Sequence, residues 1–322
     1  MEIFITFDYE LFFGQNSGSV QNSIIKPTQK LLEIANRYKV KFIFFVDSGY
    51  ILKLKEYKES YKELQKDYIS IINQIKLLNV LGHSIQLHIH PHWEDSYYDG
   101  KKWVINTTRY RLHDFNEKDI DNIVFRYKKA LTDIVGDKVF AFRAGGWSIQ
   151  PFSKIKDALK KNNIWLDSTL FYGGKNISST HYFDFTNAPK KSSWNFENTP
   201  LKEVEDGYFT EIPIGSIKVN PLFYWKFAFT KKFASKKFKI YGDGSPIGAS
   251  KKDILKMLFF PTYSPISADG YKSSLLIKGY MTYFRKNSQK LVIIGHPKAQ
   301  NDYSLEKLEE FIKIYKKEIT LF

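Results

Sequence analysis

The sequence predicts an α/β fold whose strands lie parallel, in a sheet or a barrel. Two observations predict it. Short apolar runs alternate with stretches of helical spacing through the first half of the chain, the pattern of repeated strand–helix–strand units. The residues best suited to chemistry also fall at the C-terminal ends of those runs: Asp8 and Glu10, the histidines of 88–92, Arg143 and Asp167. Parallel α/β folds place their sites at that end.

Taken in order, residues 3–8 are a short apolar run that reads as a buried strand. Residues 27–38 carry helical spacing at Leu31, Leu32, Ile34 and Ala35. Residues 40–46, dense in Phe and Ile, read as a second strand. Residues 57–80 read as one long charged helix, with Gly82 as its stop signal. A third strand is expected at 84–88, a helix at 117–135 and a fourth strand at 139–143. A helix at 151–162 starts on a proline, which suits a first turn, and a fifth strand follows at 164–167. Residues 171–209 are polar and hold no clear element, so they read as an insertion or a substrate-side loop. A strand is expected at 209–214, helices at 253–260 and 273–284, a strand at 291–294 and a last helix at 305–317. No repeat or linker divides the chain. It reads as a single domain over 1–322, with a divergent insertion at about 171–290.

Composition narrows the chemistry. With 43% hydrophobic and 26% charged residues, the chain is an ordinary globular sequence. Cysteine is absent, which excludes disulfides, thiolate ligands and a cysteine nucleophile. No stretch approaches about 18 uninterrupted apolar residues, so no membrane-spanning helix is expected. The first residues run straight into a strand pattern without a basic-then-apolar leader. That predicts a cytoplasmic protein, working in part at the inner membrane face. Lysine and arginine exceed the acids by 49 to 34, giving +15, which suggests an anionic partner or a lysine-solvated surface. Residues 220–241 interleave lysines with Phe223, Tyr224, Trp225, Phe227, Phe229, Phe233 and Phe238. This stretch reads as an amphipathic helix with lysines outward, or as a peripheral contact with an anionic membrane. Base stacking on nucleic acid is the weakest of the three readings.

Four of the seven histidines lie within residues 83–92. Neutral imidazole is the commonest protein ligand for a transition metal, so this segment reads as a metal site. On a continuous strand His88, His90 and His92 share a face. His88 and His90 can then chelate one ion, whereas His88 and His92 sit ~13 Å apart. A helical turn after His88 brings His88 and His92 together instead, and Pro91 suggests that the strand ends nearby. Both pairs stay open. His83, at the far end of the strand, reads as structural. Asp8 and Glu10 share a face in an extended segment, their Cα atoms ~7 Å apart, so one can hold a metal while the other takes a proton. Arg143 has the planar fork that clamps a carboxylate, and the glycines after it permit an unusual turn. Trp147 and Trp93 are candidates to line a substrate pocket. His296 ends the last apolar run, and Asp167 is a candidate to hold it in one tautomer. His113 and His181 have no such context.

Five short segments then carry a resemblance. They are Thr6-Phe7-Asp8-Tyr9-Glu10, Gly82 to His88 with His90-Pro91-His92, Phe142-Arg143-Ala144-Gly145, Asp167-Ser168-Thr169, and Leu291 to His296. In this order they resemble the motifs of the polysaccharide deacetylase family, carbohydrate esterases of family 4 with a NodB-type homology domain. The resemblance covers roughly residues 1–170 and 290–300. It implies a distorted, seven-stranded (β/α) barrel and a divalent metal, Zn²⁺ being the expected ion. It implies removal of an N-acetyl or related acyl group from an amino sugar, in cell-surface polysaccharide or glycolipid biosynthesis, and the expected cytoplasmic placement favours a nucleotide- or lipid-linked precursor as substrate. It gives Asp8 the role of base, Glu10 that of metal carboxylate, Arg143 that of brace for the base and His296 that of general acid. The chain departs from the usual motifs at Tyr9, which separates the two acids, and at Ala144-Gly145, where prolines are usual. The alternative it leaves is a sugar-binding or scaffold protein of the same fold without turnover.

Overall fold

All seven of the expected strand runs become mutually parallel strands of one sheet. The computed structural model describes residues 1–233, 236–248 and 250–322. Across the sheet the strands run Trp194–Phe196, Phe209–Glu211, Leu166–Asp167, Ala141–Ala144, Ser84–Ile89, Ile43–Asp47, Glu2–Tyr9 and Lys290–Gly295. Only Trp194–Phe196, at one edge, pairs antiparallel; the other seven are parallel. Strands covered on both faces need apolar residues at every position. Accordingly every residue of Glu2–Tyr9 after the first is buried, as is all of Ile43–Asp47.

The sheet curls on itself. Beyond Glu211 the chain reaches Ile214, which bridges both Phe171 and Val292. The N–H of Gly215 then donates to the carbonyl of Val292 at 2.8 Å. These pairings draw the Lys290–Gly295 edge toward the opposite side of the sheet, giving a distorted (β/α) barrel. Helices pack outside it with their apolar stripes inward. In Glu117–Val135 that stripe is Ile120, Val124, Tyr127, Leu131 and Val135. Its first turn is capped by Asn116, whose side chain accepts from the N–H of Asp119 at 3.0 Å. Among the described residues no helix is long and apolar enough to cross a membrane.

The structure departs from expectation in three places. The long helix expected at 57–80 starts later, as Lys62–Val80, and a separate helix, Ser48–Tyr57, precedes it where none was expected. No Gly or Pro marks the break at 58–61, so the later start was not legible. The stretch 171–209 holds three short strands: Lys175–Ile177 pairs with Tyr182–Asp184, and Trp194–Phe196 joins the main sheet. Three-residue strands are too short to show alternation. The helix expected at 151–162 shrinks to Lys156–Lys161, preceded by a tight turn at Phe152–Lys154. Of the basic aromatic stretch, residues 221–233 form a helix; residues 234 and 235 and the Phe233 side chain lie outside the described residues.

Strand register brings two acids together. Asp167 pairs with Glu211 across neighbouring strands, and both are buried. Thr169 Oγ1 donates to Asp167 Oδ1 at 2.6 Å. The remaining oxygens, Asp167 Oδ2 and Glu211 Oε2, meet no other donor. Burial pushes the Glu211 carboxyl well above its ordinary range, and the neighbouring Asp167 adds to the rise. The pair therefore keeps a proton that unfolding releases. A raised carboxyl in the folded state costs stability as pH climbs from the ordinary carboxylate range toward the folded value. Glu211→Gln, which supplies an amide donor to Asp167, is expected to flatten that decline. Thermal midpoints measured at pH 5 and pH 8 should show the variant gaining on wild type at the higher pH, by roughly 2–4 °C per kcal/mol recovered. Parallel pH dependences would contradict the shared proton.

Candidate active site

The site begins where the first strand ends. Thr6 and Asp8 lie two residues apart on one face, and Glu10 follows just past Tyr9. Arg143, at the matching end of Ala141–Ala144, is fully buried and spends its donors on this corner. Its Nη1 reaches Asp8 Oδ1 at 2.6 Å and Thr6 Oγ1 at 3.0 Å. Its Nε donates to the Ser168 carbonyl at 2.7 Å, and Nη2 to Ser168 Oγ at 3.2 Å. The Phe45 ring covers its face at 4.1 Å. Burial would raise the Asp8 carboxyl, but Arg143, with His88 and His296, outweighs it and leaves Asp8 below the usual carboxylate pKa. Asp8 is thereby held as an anion, with Oδ1 occupied and Oδ2 turned to the cleft.

The third strand, Ser84–Ile89, delivers the histidines. His88 pairs in register with Arg143, and its Nδ1 lies 2.8 Å from the Arg143 carbonyl. A carbonyl can only accept, so Nδ1 carries the proton, and Nε2 faces inward. His90 sits just past the strand, where Pro91 opens a short turn over Pro91–Glu94. His90 Nε2 lies 3.1 Å from His88 Nε2 and 2.5 Å from Glu10 Oε2. His88 Nε2 lies 3.1 Å from the same carboxylate oxygen. Glu10, His88 and His90 thus form a buried donor set whose ligand atoms all lie within 4.8 Å of one another, a group that can hold a metal ion. Burial lowers the His88 pKa, but Asp8 and Glu10 lift it to about 9. For His90 burial prevails over Glu10 and leaves about 4. Gly145 packs so closely that a Cβ there would meet His90 Nδ1 at 2.5 Å, which accounts for a glycine in the arginine motif.

His92, the other open choice, points elsewhere. It is fully buried, neither ring nitrogen has a hydrogen-bond partner, and its ring stacks on Tyr110 at 5.3 Å. The turn at Pro91 carries it behind His90, where it forms wall. Trp93 is likewise fully enclosed, and its indole N–H donates to Asp47 Oδ2 at 2.6 Å. It braces the turn and does not reach the cleft, contrary to its reading as a substrate-lining residue. Burial raises the Asp47 carboxyl to about 7, against the pull of His88. His83 takes a structural place: its Nδ1 accepts from the N–H of Phe42 at 2.9 Å.

His296 lies next to Asp8 at the border of the donor set. Its Nε2 lies 3.6 Å from Asp8 Oδ2 and 3.8 Å from Glu10 Oε1. The residue that fixes its tautomer is Asp269, with Oδ2 at 2.7 Å from His296 Nδ1 and Oδ1 accepting the His296 backbone N–H at 2.7 Å. Asp167 does not reach His296; Thr169 and Glu211 engage it instead. Burial lowers the His296 pKa, but Asp269, with Asp8 and Glu10, raises it overall. Lys298, two residues on, completes the charge balance: its Nζ donates to Glu10 Oε1 at 2.8 Å and to the Leu11 carbonyl at 2.5 Å. Burial would raise Glu10, yet Lys298 and the two histidines hold it well below its ordinary range.

These side chains line a cleft of ≈ 630 Å³, measured to its open mouth. Trp147, Tyr110, Phe13 and His181 form its aromatic walls, and Pro246 and Ile247 its rim. Sequence reasoning missed Asp269, Lys298 and His181. Lys298 follows the His296-Pro297 pair and Asp269 is an acid just before a predicted helix, but neither had a visible partner; His181 lay in a stretch with no legible element.

Comparisons bear on the fold. No family model matches the chain, and no curated protein does. Solved structures do. The chain is similar to a protein assigned as a polysaccharide deacetylase from Mycobacterium smegmatis, at 15% identity and TM-score 0.53, over 98% of this chain and 85% of that one. It is also similar to the Puue allantoinase, at 11% identity and TM-score 0.48, over 99% and 86%. A third is the polysaccharide deacetylase Bc1974 from Bacillus cereus, at 12% identity and TM-score 0.42, over 99% and 90%. At these identities the likeness concerns architecture: the chain has the fold seen in polysaccharide deacetylases of carbohydrate esterase family 4.

Proposed function

We propose that this protein is a metal-dependent deacylase that removes an N-acetyl group from an amino sugar. The observation that carries the reading is that Asp8 and His296 both border the Glu10–His88–His90 donor set, Asp8 Oδ2 lying 3.8 Å from His88 Nε2 and His296 Nε2 3.8 Å from Glu10 Oε1. The donor set suits a divalent ion. The His88 Nδ1–H is committed to the Arg143 carbonyl, so Nε2 is the nitrogen aimed at the group, and two imidazoles with one carboxylate are a common shell for catalytic zinc. When bound, the ion supplies Lewis acidity for the amide carbonyl.

The remaining chemistry belongs to the chain. Asp8, kept ionised by Arg143, accepts at Oδ2 the proton of an attacking water. The water oxygen forms a bond to the acyl carbon. His296, held by Asp269 through Nδ1, carries a proton on Nε2 and passes it to the nitrogen as the carbon–nitrogen bond breaks, so the products are acetate and an amine. Trp147, on the cleft wall, offers a flat apolar face to a sugar ring. The +15 charge supports a substrate carried on an anionic nucleotide or lipid phosphate.

Three measurements check this. Zinc binding followed by titration calorimetry should weaken at least about tenfold in Glu10→Gln and in His90→Gln, and stay near wild type in His92→Phe. A loss confined to His92→Phe would move the site. Acetate release from N-acetylated amino sugars and their nucleotide- and lipid-linked forms should fall with chelator, and by about 10²–10⁴-fold in Asp8→Asn with zinc binding kept. In the Asp269→Asn variant the alkaline limb of the kcat/KM profile should move to lower pH, because His296 loses the carboxylate that raises its pKa and must be protonated to act. An unmoved limb would remove His296 from the role of acid.

A further inference from the structure

Between the paired strands Ser216–Val219 and Thr262–Pro265 the chain leaves the barrel and builds two helices, Pro221–Phe233 and Lys251–Phe259. A helix packed on a barrel normally turns its apolar stripe inward. Here large apolar side chains face out: Leu222 is 61% exposed, Trp225 52%, Leu255 55%, Phe259 62% and Phe260 64%. Trp225 joins the two helices. Its indole N–H donates to the Leu258 carbonyl at 3.0 Å, and its ring lies edge-on to Phe259 at 6.4 Å. The exposed groups therefore form one apolar surface, and a surface of this kind marks a contact site.

Charge surrounds it. Residues 221–263 contain nine lysines and two aspartates, a net +7 out of the chain's +15. Lys226, Lys251, Lys252 and Lys256 on these helices are exposed. Both aspartates are engaged locally: Asp253 by the Ser250 cap, and Asp243 by Ser19, Asn22 and Ser23. The segment between the helices returns to the cleft. The N–H of Gly242 donates to the Lys298 carbonyl at 3.2 Å, and Pro246 and Ile247 form part of the cleft rim. The apolar surface is thus tethered to the mouth of the site.

We propose that this helical pair docks on the surface of an anionic lipid bilayer, with Trp225, Phe259 and Phe260 inserted at the headgroup level and the lysines against lipid phosphates. A second copy of the chain is a poorer occupant, because it would set +7 against +7. A nucleic acid is poorer too, since Leu222, Ile254 and Leu255 have no ring on which a base can stack. Docking would bring the cleft to amino sugars held on lipid carriers; that consequence rests on the deacylase reading, whereas the docking itself does not.

The test sediments the full chain with vesicles of phosphatidylcholine containing phosphatidylglycerol, and with phosphatidylcholine alone. Wild type should bind the anionic vesicles at least about tenfold more tightly, with binding weakened by salt. A triple variant (Trp225→Ser, Phe259→Ser, Phe260→Ser) and a double variant (Lys251→Glu, Lys252→Glu) should each lose about tenfold or more, with unchanged circular dichroism. Absence of vesicle binding by wild type overturns the proposal, as does binding that both variants retain. Wild type that dimerises or shifts an oligonucleotide through these residues, but ignores vesicles, overturns it as well. Deacylation of a water-soluble N-acetyl amino sugar is measured on the same samples. Its absence counts against the deacylase alone, and its retention in both variants shows that the cleft is intact.

Discussion

A guanidinium with no access to solvent holds the site together. Burying a charge is costly unless its partners are complete, and those of Arg143 are well supplied: a carboxylate, two hydroxyls and a carbonyl, under the face of Phe45. Two consequences follow from one residue. Its side chain keeps Asp8 ionised, and its own backbone carbonyl takes the Nδ1–H of His88, so Nε2 points into the site. The parallel register that sets Arg143 beside His88 therefore ties the ionisation of Asp8 and the orientation of the His88 ring to one position. A lysine would keep the backbone contact but not the side-chain ones, because a point charge lacks the planar fork.

The surrounding charges are arranged so that the acids can stay charged in a poorly solvated place. Glu10 has Lys298 on one oxygen and the histidines on the other. Asp8 has Arg143 on Oδ1 and looks across the cleft to His296. Where cations act only from a distance, the opposite happens: Asp47 and the Asp167–Glu211 pair are pushed upward by burial. The contrast separates acids that carry charge at the cleft from acids that hold protons within the wall.

What could be read from the sequence was what lies close together in it. The strand runs, the i and i+2 spacing of Asp8 and Glu10, and the density of histidines at 83–92 are local signals, and the structure gathers Asp8, Glu10, His88, His90, Arg143 and His296 around one cleft. What could not be read depends on distant packing. Asp269 meets His296 only because the chain folds back before the last strand. Lys298 finds Glu10 across 288 positions of sequence. The choice between His90 and His92 turns on how the backbone bends at Pro91, which spacing alone leaves undecided. The helix at Ser48–Tyr57 buries residues mainly in its first half and shows no stripe along its length, and the three-residue strands were too short to show alternation. The aromatic helix after residue 220 was legible as a helix, but not the outward direction of Leu222 and Trp225.

The account stands or falls on the position of one cation. Crystals grown with zinc, measured at the zinc absorption edge, should show a single anomalous peak held by a Glu10 carboxylate oxygen, His88 Nε2 and His90 Nε2, with the Asp8 carboxylate and the His296 ring beside it. A cleft without a peak, or a peak held by His92 in place of His90, would contradict it.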